Sequence, residues 1–358
     1  MTTLNDVART AGVSRATVSL VCRSSPLVAA KTRARVERAM VEVGYVYNRA
    51  AANLRSSRTN TIGLVIPEIA NPLYAEVLAG VEEAIEPFDQ HVLVASTNES
   101  LERQEHLLMR MLEMRVDGVI ISAATGTTAA MLAGCVRSGV PVVQVLRAVD
   151  PVRLDYSGTS NRVGVRRATE YLLDLGHRRV GFIGSSVATS VSDERRRGYR
   201  DALAARRLRA DPACITQCRP EFGDAADATR ALLSQSDPPT ALVCFNDIIA
   251  FGATLALYEL GLEPGVDVSV IGFDNIAWAE NWRPALTTMA IEPRQIGHQA
   301  GRLLLERLRT PTSAARVVLS EARLVIRNTC AAPRAATQDS PKRLERRAHF
   351  SSTPRRQT

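Results

Sequence analysis

The sequence predicts two kinds of fold in one chain: an N-terminal all-α domain of the helix-turn-helix type and a larger α/β body with two lobes. Short amphipathic helices follow one another within residues 1–47. From residue 61 onward, short apolar runs alternate with amphipathic segments, which is typical of parallel βα units. This alternation comes in two series of similar size, which favours two α/β lobes over one barrel or one large sheet.

Composition and charge limit the classes of function. The 358 residues are enough for two or three domains with substantial cores. Residues 1–60 carry ten Lys/Arg and three Asp/Glu, residues 331–358 carry seven and two, and the part between is mildly acidic. Basic ends indicate contact with a polyanion. Because the sequence has neither an apolar run of membrane-spanning length nor a signal-peptide pattern, we expect a cytoplasmic protein that does not enter a membrane.

Motifs of metal, nucleotide and redox chemistry are missing from the sequence. The six cysteines are scattered and form no CxxC pair, so we expect reduced thiols. No HExxH, P-loop or GxGxxG pattern occurs. We therefore expect no cofactor and no metal site.

The first two helices are predicted close to the start of the chain. In LNDVARTA (4–11), apolar residues recur at i, i+3, i+4 and i+7, which places them on one helical stripe. Gly12 permits a tight turn. Ser14 is a residue type that caps helices, and the helix that it opens is predicted from about Arg15 to Arg23.

The second helix has two faces of different character. At 100° per residue, its one face carries Arg15, Ala16, Ser19, Leu20 and Arg23, and the opposite face carries Thr17, Val18 and Val21. The opposite face can pack on the first helix, which leaves the arginines and small side chains outward. Such a face suits a DNA major groove, because small residues permit close approach while Arg reaches guanine edges or phosphates. A solvated basic hairpin is the alternative interpretation.

A third amphipathic helix is predicted in AAKTRARVERAMVEV, with Val36, Met40 and Val43 inward. Its arginines at positions 33, 35 and 38 lie on other faces. Three short helices with a strong positive charge are typical of a helix-turn-helix domain, predicted at residues 1–47.

Two N-terminal segments resemble a known family. The segments TTLNDVARTAGVSRATVSLVCR and KTRARVERAMVEVGYVYNRAAANLRSSRTNTIGLVIP are similar to the N-terminus of lactose/galactose-repressor (LacI-type) transcription regulators, and the resemblance extends to about residue 330. It implies a homodimer that represses transcription from a pseudo-palindromic operator, with Arg15, Ala16 and Leu20 at the base-reading positions. Many relatives carry Arg where this chain has Leu20, which cannot hydrogen-bond a base. The predicted DNA contacts are Leu4, Ser14, Arg15, Ala16, Thr17, Ser19, Leu20, Arg23, Asn48 and Leu54.

The segment NRAAANLRSSRTN (48–60) is predicted to be a hinge. Asn48 can cap a helix, but two turns of helix are marginal in water, so its folding must depend on something external. The resemblance implies that the hinge becomes helical when two copies pack on DNA, where Leu54 would wedge into the minor groove. A flexible polar linker is the alternative.

The body, predicted at residues 61–330, has two series of strands. TIGLVIP, HVLVAST, DGVIISA and PVVQVL are predicted as buried strands of one lobe. The helix VGVRRATEYLLDLG begins the second series, which continues with RRVGFIG, CITQC, ALVCFN and DVSVIGFD. The late helix at 294–309 and the segments RVVLSE and ARLVIRN would close both lobes. The resemblance implies a periplasmic-binding-protein-like effector domain, and the basic tail at 331–358 is predicted to be disordered.

Ligands of parallel sheets sit beyond the carboxyl ends of strands, so polar residues there are the candidates for a ligand site. Arg, Asn and Asp supply donors and acceptors that suit sugar hydroxyls, and Tyr74 could stack on a ring. By resemblance, Arg195, Asn246 and Asp274 match the family's principal effector contacts. The predicted sugar-like effector would contact Asn71, Leu73, Tyr74, Ser122, Arg195, Asn246 and Asp274. Asp247 is predicted to cap the helix that follows it rather than to bind ligand.

Several features leave alternatives open. After PVVQV, relatives often present an Asp to the ligand, whereas this chain has Leu146 and Arg147, which argues against an ordinary hexose. Phe222, Trp278 and Trp282 suit either the pocket or packing. An enzyme is the alternative hypothesis from another functional class. However, no histidine lies at the carboxyl end of a strand predicted to line the pocket, and no catalytic triad pattern occurs. A periplasmic transport receptor would share the body without the DNA-binding domain.

Overall fold

The computed structural model describes residues 2–23, 25–47 and 59–334. The chain divides into two compact units, residues 1–59 and 60–358, which we call the head and the body. The predicted hinge contacts Asn48 and Leu54 lie outside the described residues, and so does most of the predicted tail. None of the described helices is both long and apolar enough to cross a membrane.

The head consists of three helices around one small core. They are α1 (Leu4–Ala11), α2 (Arg15–Cys22) and α3 (Ala30–Glu42). Gly12 adopts the left-handed conformation (φ 60°) that ends α1, and the Ser14 hydroxyl accepts a hydrogen bond from the Thr17 amide at 3.1 Å to begin α2. Val18 and Val36 are fully buried between the helices. The predicted helices are therefore present, and α2 ends one residue earlier than predicted.

The first lobe of the body is built on a six-stranded parallel sheet with the order β11-β5-β4-β3-β1-β2. Its strands are β1 (Thr61–Ile66), β2 (His91–Ser96), β3 (Gly118–Ile121), β4 (Val142–Val145), β5 (Asp155–Thr159) and β11 (Val317–Ser320). The helices that pack on it are α4 (Pro72–Ile85), α5 (Leu101–Glu113), α6 (Ala129–Arg137) and α12 (Pro293–Arg309). Glycines at positions 80 and 297 allow the backbones of α4 and α12 to touch, since a Cβ at Gly80 would lie 1.8 Å from the Arg294 carbonyl oxygen.

The second lobe repeats this plan with the strand order β12-β10-β9-β8-β6-β7. Its strands are β6 (Val180–Ser185), β7 (Ile215–Cys218), β8 (Ala241–Cys244), β9 (Ser269–Asp274), β10 (Thr287–Ala290) and β12 (Arg323–Val325). Only β12 runs antiparallel to its neighbour within this sheet. The helices of the lobe are α7 (Asn161–Asp174), α8 (Ser190–Ala205), α9 (Phe222–Leu233), α10 (Asp247–Glu259) and α11 (Trp278–Asn281).

Three short crossings connect the lobes: β5 to α7, β10 to α12, and β11 to β12. The first crossing brings the chain into the second lobe, the second returns helix α12 to the first lobe, and the third sends the last strand back. This agrees with the prediction that the late helix and the last two strands close both lobes. A body connected in this way has a cleft between the carboxyl ends of its two sheets.

Two strands that the sequence pattern did not predict complete the sheets. The strand β5, with the sequence DYSGT, is buried along its whole length although most of its residues are polar. Its Asp155 carboxylate pairs with Arg307 at 2.8 Å, and its Ser157 hydroxyl donates to the Ile296 carbonyl at 2.8 Å. Tertiary partners thus satisfy groups that look solvent-exposed in the sequence. The strand β10, with the sequence TTMA, is equally buried.

The prediction that HVLVAST forms a buried strand was wrong in one respect. The strand β2 lies at the edge of its sheet, and His91 and Val94 are exposed. The cysteines agree with the prediction, because all six are free thiols. Four of them, at positions 135, 214, 218 and 244, are buried.

Candidate functional site

One face of helix α2 in the head is open. Arg15, Ala16 and Arg23 are exposed, while Ser19 and Leu20 are half-buried beside them. The Arg23 guanidinium lies along this face and donates to the Ser19 hydroxyl at 2.8 Å. Arginines at both ends of a short helix, with small residues between them, form a surface that can enter a major groove.

Two of the predicted DNA contacts lie off this open face. Leu4 is half-buried and packs against the core of the head. The Thr17 hydroxyl lies 2.9 Å from the Ser14 hydroxyl, where both belong to the cap of α2. Both side chains thus help to hold the helices of the head in place, and their contact with DNA stays a prediction.

A cavity of about 380 Å³ lies in the body at the carboxyl ends of strands from both lobes. Its size is within the range of small-molecule sites. Arg195, Asn246 and Asp274, which the sequence predicted to converge, all line it. Asn71, Leu73 and Tyr74 line it from the first lobe, also as predicted.

Arg195 is the central residue on the second-lobe side. It is buried in the second turn of α8, which begins at Ser190, and its Nε donates to the Asn161 amide oxygen at 2.9 Å. One Nη donates to the Asp274 carboxylate at 3.3 Å and the other to the Phe245 carbonyl. The guanidinium also lies 3.8 Å from the centre of the Phe273 ring, so three hydrogen-bond partners and one aromatic ring fix its position at the cavity.

Asn246, rather than Asp247, caps helix α10. Its amide oxygen accepts from the Ile249 amide at 3.0 Å, while its side-chain NH₂ makes no hydrogen bond within the described residues and lines the cavity. Asp247 is fully buried and accepts from the Ile276 amide at 2.8 Å and the Thr288 hydroxyl at 2.5 Å. The predicted capping role of Asp247 was therefore wrong, and this carboxylate holds the segment that follows β9.

Asp274 stands in an uncommon backbone conformation at the end of β9. Its φ is 112°, and Asn275 follows with a φ of 57°. Burial raises the pKa of Asp274 to about 6, although Arg195 acts in the opposite direction. Burial also raises the pKa of Asp247 to about 8, and the neighbouring Asp274 contributes. Two carboxyl groups are thus held out of water next to one guanidinium.

The first-lobe side has a different character. Pro67, Leu73, Tyr74 and Leu146 line the cavity there, and all four are buried. Ser122, predicted to line the cavity, does not: it is fully buried, and its hydroxyl lies 3.4 Å from the Tyr74 hydroxyl. The reason is that β3 ends inside the lobe, behind helix α4.

Charged residues lie at the rim of the cavity. Arg147 forms an ion pair with Glu99 at 2.6 Å and donates to the Ala123 carbonyl at 3.0 Å. Glu68 is on the same lobe, and its pKa is raised by partial burial and by the proximity of Glu221 from the second lobe. Sequence reasoning singled out Arg147 but not Glu99, because 48 residues separate the two and no motif links them.

Asn161 is a functional candidate that sequence reasoning missed. It is buried at the first crossing, lines the cavity and holds Arg195. Its position just after a strand would have marked Asn161 as a candidate, but that strand, β5, has no apolar pattern and was not predicted. The aromatic residues Phe222, Phe251, Trp278 and Trp282 instead pack against one another, and only packing, the second of the two alternatives, applies to them.

Comparison with known proteins agrees with this arrangement. Residues 3–48 match the family of bacterial regulatory proteins, lacI family, and residues 169–330 match the periplasmic binding protein-like domain. The chain is 31% identical over 329 residues to the ribose operon repressor of Haemophilus influenzae, with 92% of this chain and 98% of that protein covered.

Solved structures of LacI-type regulators are also similar to this chain. A Lac repressor dimer bound to operator and the anti-inducer ONPF superposes with a TM-score of 0.82 at 27% identity, with 92% of this chain and 99% of that chain covered. The complex of the transcriptional regulator CelR with cellobiose has a TM-score of 0.71 at 30% identity, with 92% and 100% covered. These relatives are regulators, so the alternative of an enzyme is set aside. The chain belongs to the LacI family of bacterial regulatory proteins.

Proposed function

We propose that this chain is a cytoplasmic transcriptional repressor whose affinity for operator DNA is switched by a small, polar, sugar-like effector in the cleft of the body. The observation that carries this proposal is the set of Arg195, Asn246 and Asp274, buried and fixed at the edge of a cavity of about 380 Å³. An amide NH₂, a carboxylate and a guanidinium are groups that can recognise neighbouring hydroxyls.

The relatives support the class of effector. One is named as a ribose operon repressor, and a solved relative is a complex with cellobiose. A LacI-family structure from Enterococcus faecium, 25% identical, contains bound ribose. We extend sugar binding to this chain because its cavity carries the polar groups described above.

The head would read the operator with the open face of α2. Arg15 and Arg23 would contact guanine edges or phosphates, and Leu20 would contact a thymine methyl or fill space. Asn48 and Leu54 stay predicted contacts of the hinge. Leu54→Ala is expected to weaken specific binding far more than nonspecific binding, because only a specific complex uses the minor-groove wedge.

The repressor would act as a homodimer on a pseudo-palindromic operator. Effector binding would close the cleft and change the separation of the two hinges. A tenfold change in operator affinity needs only about 1.4 kcal/mol of differential effector binding.

The experiment starts from selection of operator sequences from random duplex DNA with the full chain, followed by gel-shift titration. Arg15→Ala is expected to lower specific affinity by about 10-fold or more, since a base or phosphate contact is lost. Arg302→Ala is the matched control, because it removes the same charge from an exposed position on α12 of the body.

Sugars, polyols and nucleosides are then screened by thermal shift, and each ligand found is added to the operator complex. The proposal expects at least one ligand to change the operator Kd by about 10-fold. It fails if no palindromic sequence is enriched, if Arg15→Ala and Arg302→Ala behave alike, or if no bound ligand alters operator occupancy.

A further inference from the structure

The two walls of the effector cavity differ in hydrogen-bonding capacity. On the second-lobe side, the buried lining residues include Arg195, Asn246 and Asp274, which carry donors and acceptors. On the first-lobe side the buried lining residues are Thr159 and four residues that we call the apolar wall, namely Pro67, Leu73, Tyr74 and Leu146.

Most polar groups of the first-lobe side already have partners. The Tyr74 hydroxyl is turned towards the buried Ser122, and the Thr159 hydroxyl donates to the Ser320 carbonyl at 3.0 Å. The Asn71 amide oxygen accepts from the Leu73 amide at 3.0 Å to cap α4, so that Asn71 retains only its NH₂ for a ligand. Glu99 is paired with Arg147. A hydroxyl group pressed against the hydrocarbon of Pro67, Leu73 and Leu146 would find no partner in those three side chains.

Leu146 is held in this wall in a conformation that leucine rarely adopts. Its φ is 62°, in the left-handed region, which costs an L residue with a Cβ free energy that Gly, Asn or Asp largely avoids. Its amide donates to the Ser157 carbonyl at 2.9 Å, and its carbonyl accepts from the Tyr156 hydroxyl at 3.0 Å. The next residue is anchored through the ion pair of Arg147 with Glu99. These contacts thus hold an apolar side chain at the cavity, although Asn or Asp would adopt this left-handed backbone conformation at a lower cost in free energy.

We propose that the effector is a deoxy sugar or a closely related ligand, whose hydroxyl edge pairs with Arg195, Asn246 and Asp274 while a hydrocarbon edge lies against the apolar wall, with Leu146 as the residue that selects it. This inference rests on the proposed effector site and names the class of ligand within it.

The selectivity follows from the cost of burying an unpaired hydroxyl. A ligand with a methyl group or a deoxy carbon at the apolar wall buries hydrocarbon against hydrocarbon. The fully hydroxylated analogue must give up hydrogen bonds to water and gains none from Leu146 or its neighbours. A discrimination of about 10- to 100-fold between the two is the size of effect that such a difference supports.

The test uses pairs of sugars that differ by one hydroxyl group, with the full chain and its selected operator. L-fucose is compared with L-galactose, L-rhamnose with L-mannose, and D-quinovose with D-glucose. Affinity is measured by calorimetry, and the effect on operator Kd by gel shift. In at least one pair the deoxy member is expected to bind at least 10-fold more tightly than its partner.

Two variants assign the preference to Leu146. Leu146→Asp adds an acceptor and suits the left-handed backbone, so it is expected to reduce the preference to less than about 3-fold or to reverse it. Leu146→Met keeps an apolar side chain and is expected to keep the preference. The circular dichroism spectrum and the thermal unfolding midpoint without ligand serve as the controls for folding of both variants.

The outcomes separate the inference from the proposed function. The inference is overturned if the hydroxylated member of every binding pair binds as tightly, if no deoxy sugar binds, or if folded Leu146→Asp keeps the full preference. If Leu146→Asp does not fold, the wild-type pairs decide alone. The proposed function would survive any of these results as long as another small molecule alters operator occupancy.

Discussion

The two lobes of the body repeat one topology but end their corresponding strands with different residues. β4 and β9 occupy the same place in the two sheet orders, and each is followed or ended by a residue with positive φ. In the first lobe this residue is Leu146, and in the second it is Asp274. The same backbone feature thus presents a hydrocarbon to the cavity from one side and a carboxylate from the other.

This difference indicates a division of labour. The second lobe keeps Arg195, Asp247 and Asp274 out of water, and burial shifts the pKa of each towards the neutral form. Such groups reduce stability unless partners satisfy them, so their presence at a cavity favours a role in ligand binding. The first lobe contributes a wall of buried apolar side chains, so the loss of a single polar group there should have a smaller effect on the unliganded protein.

The largest expected effect is that of Asp274→Ala. It removes the acceptor for the effector and leaves the buried Arg195 without its charge partner, so the effector response should be lost. The free energy of unfolding should fall by about 3 kcal/mol or more. Chemical denaturation and gel shift with and without effector measure the two effects, and operator affinity without effector should stay near that of the wild type.

Asp193→Ala is the matched control, on the helix α8 that carries Arg195. It breaks the exposed pair of Asp193 with Arg196, for which a loss below about 1 kcal/mol is expected. If effector changes the operator affinity of Asp274→Ala as much as that of Asp193→Ala, the second lobe does not supply the polar contacts to the effector.

An intermediate effect, visible only as a function of pH, is expected for Asp247→Asn. The folded state raises the pKa of Asp247 from 3.8 to about 8, with Asp274, Arg195 and Arg327 as the nearby charged groups. A raised pKa means that folding favours the protonated form. The stability from Asp247 is therefore complete below pH 3.8 and is lost as the pH rises through about 8.

The amide of Asn can replace the neutral acid, because its oxygen can accept from the Ile276 amide and its NH₂ can donate to the Thr288 hydroxyl. The melting temperature of the variant should equal that of the wild type near pH 5 within a few degrees. It should exceed the wild-type value by several degrees near pH 9. A difference that does not change with pH would contradict a buried, late-titrating Asp247.

The smallest effect is expected for Tyr74→Phe in the first lobe. It removes a hydroxyl whose contact with Ser122 is long, at 3.4 Å, so the loss in unfolding free energy should stay below about 1 kcal/mol. Effector affinity should change by less than about 3-fold, since the apolar wall offers a ring rather than a hydrogen bond. A loss of effector affinity of about 10-fold or more would mean that the first lobe also recognises polar groups.

Sequence reasoning succeeded where periodicity and local residue type decide the structure. The three helices of the head, the cap at Ser14 and the apolar strands such as β1, β3 and β8 follow from patterns of a few residues. The convergence of Arg195, Asn246 and Asp274 was also predicted, because strand ends in parallel sheets meet at one edge. Sequence reasoning failed for strands β5 and β10, because their polar residues are buried with partners that lie far away in the chain.

The sequence by itself determined that a small basic helical head precedes a two-lobed α/β body, since amphipathic period, capping residues and charge are local properties. Only the tertiary structure decided which strand-end residues reach the cavity. It sets Ser122 behind Tyr74, assigns the α10 cap to Asn246, brings Glu99 to Arg147 and holds Leu146 at positive φ. The positions of Ser122, Glu99 and Leu146 depend on contacts between segments distant in sequence, which no local pattern of residues can specify. The cap at Asn246 is itself local, but Asp247 is engaged by Ile276 and Thr288, which lie 29 and 41 residues away.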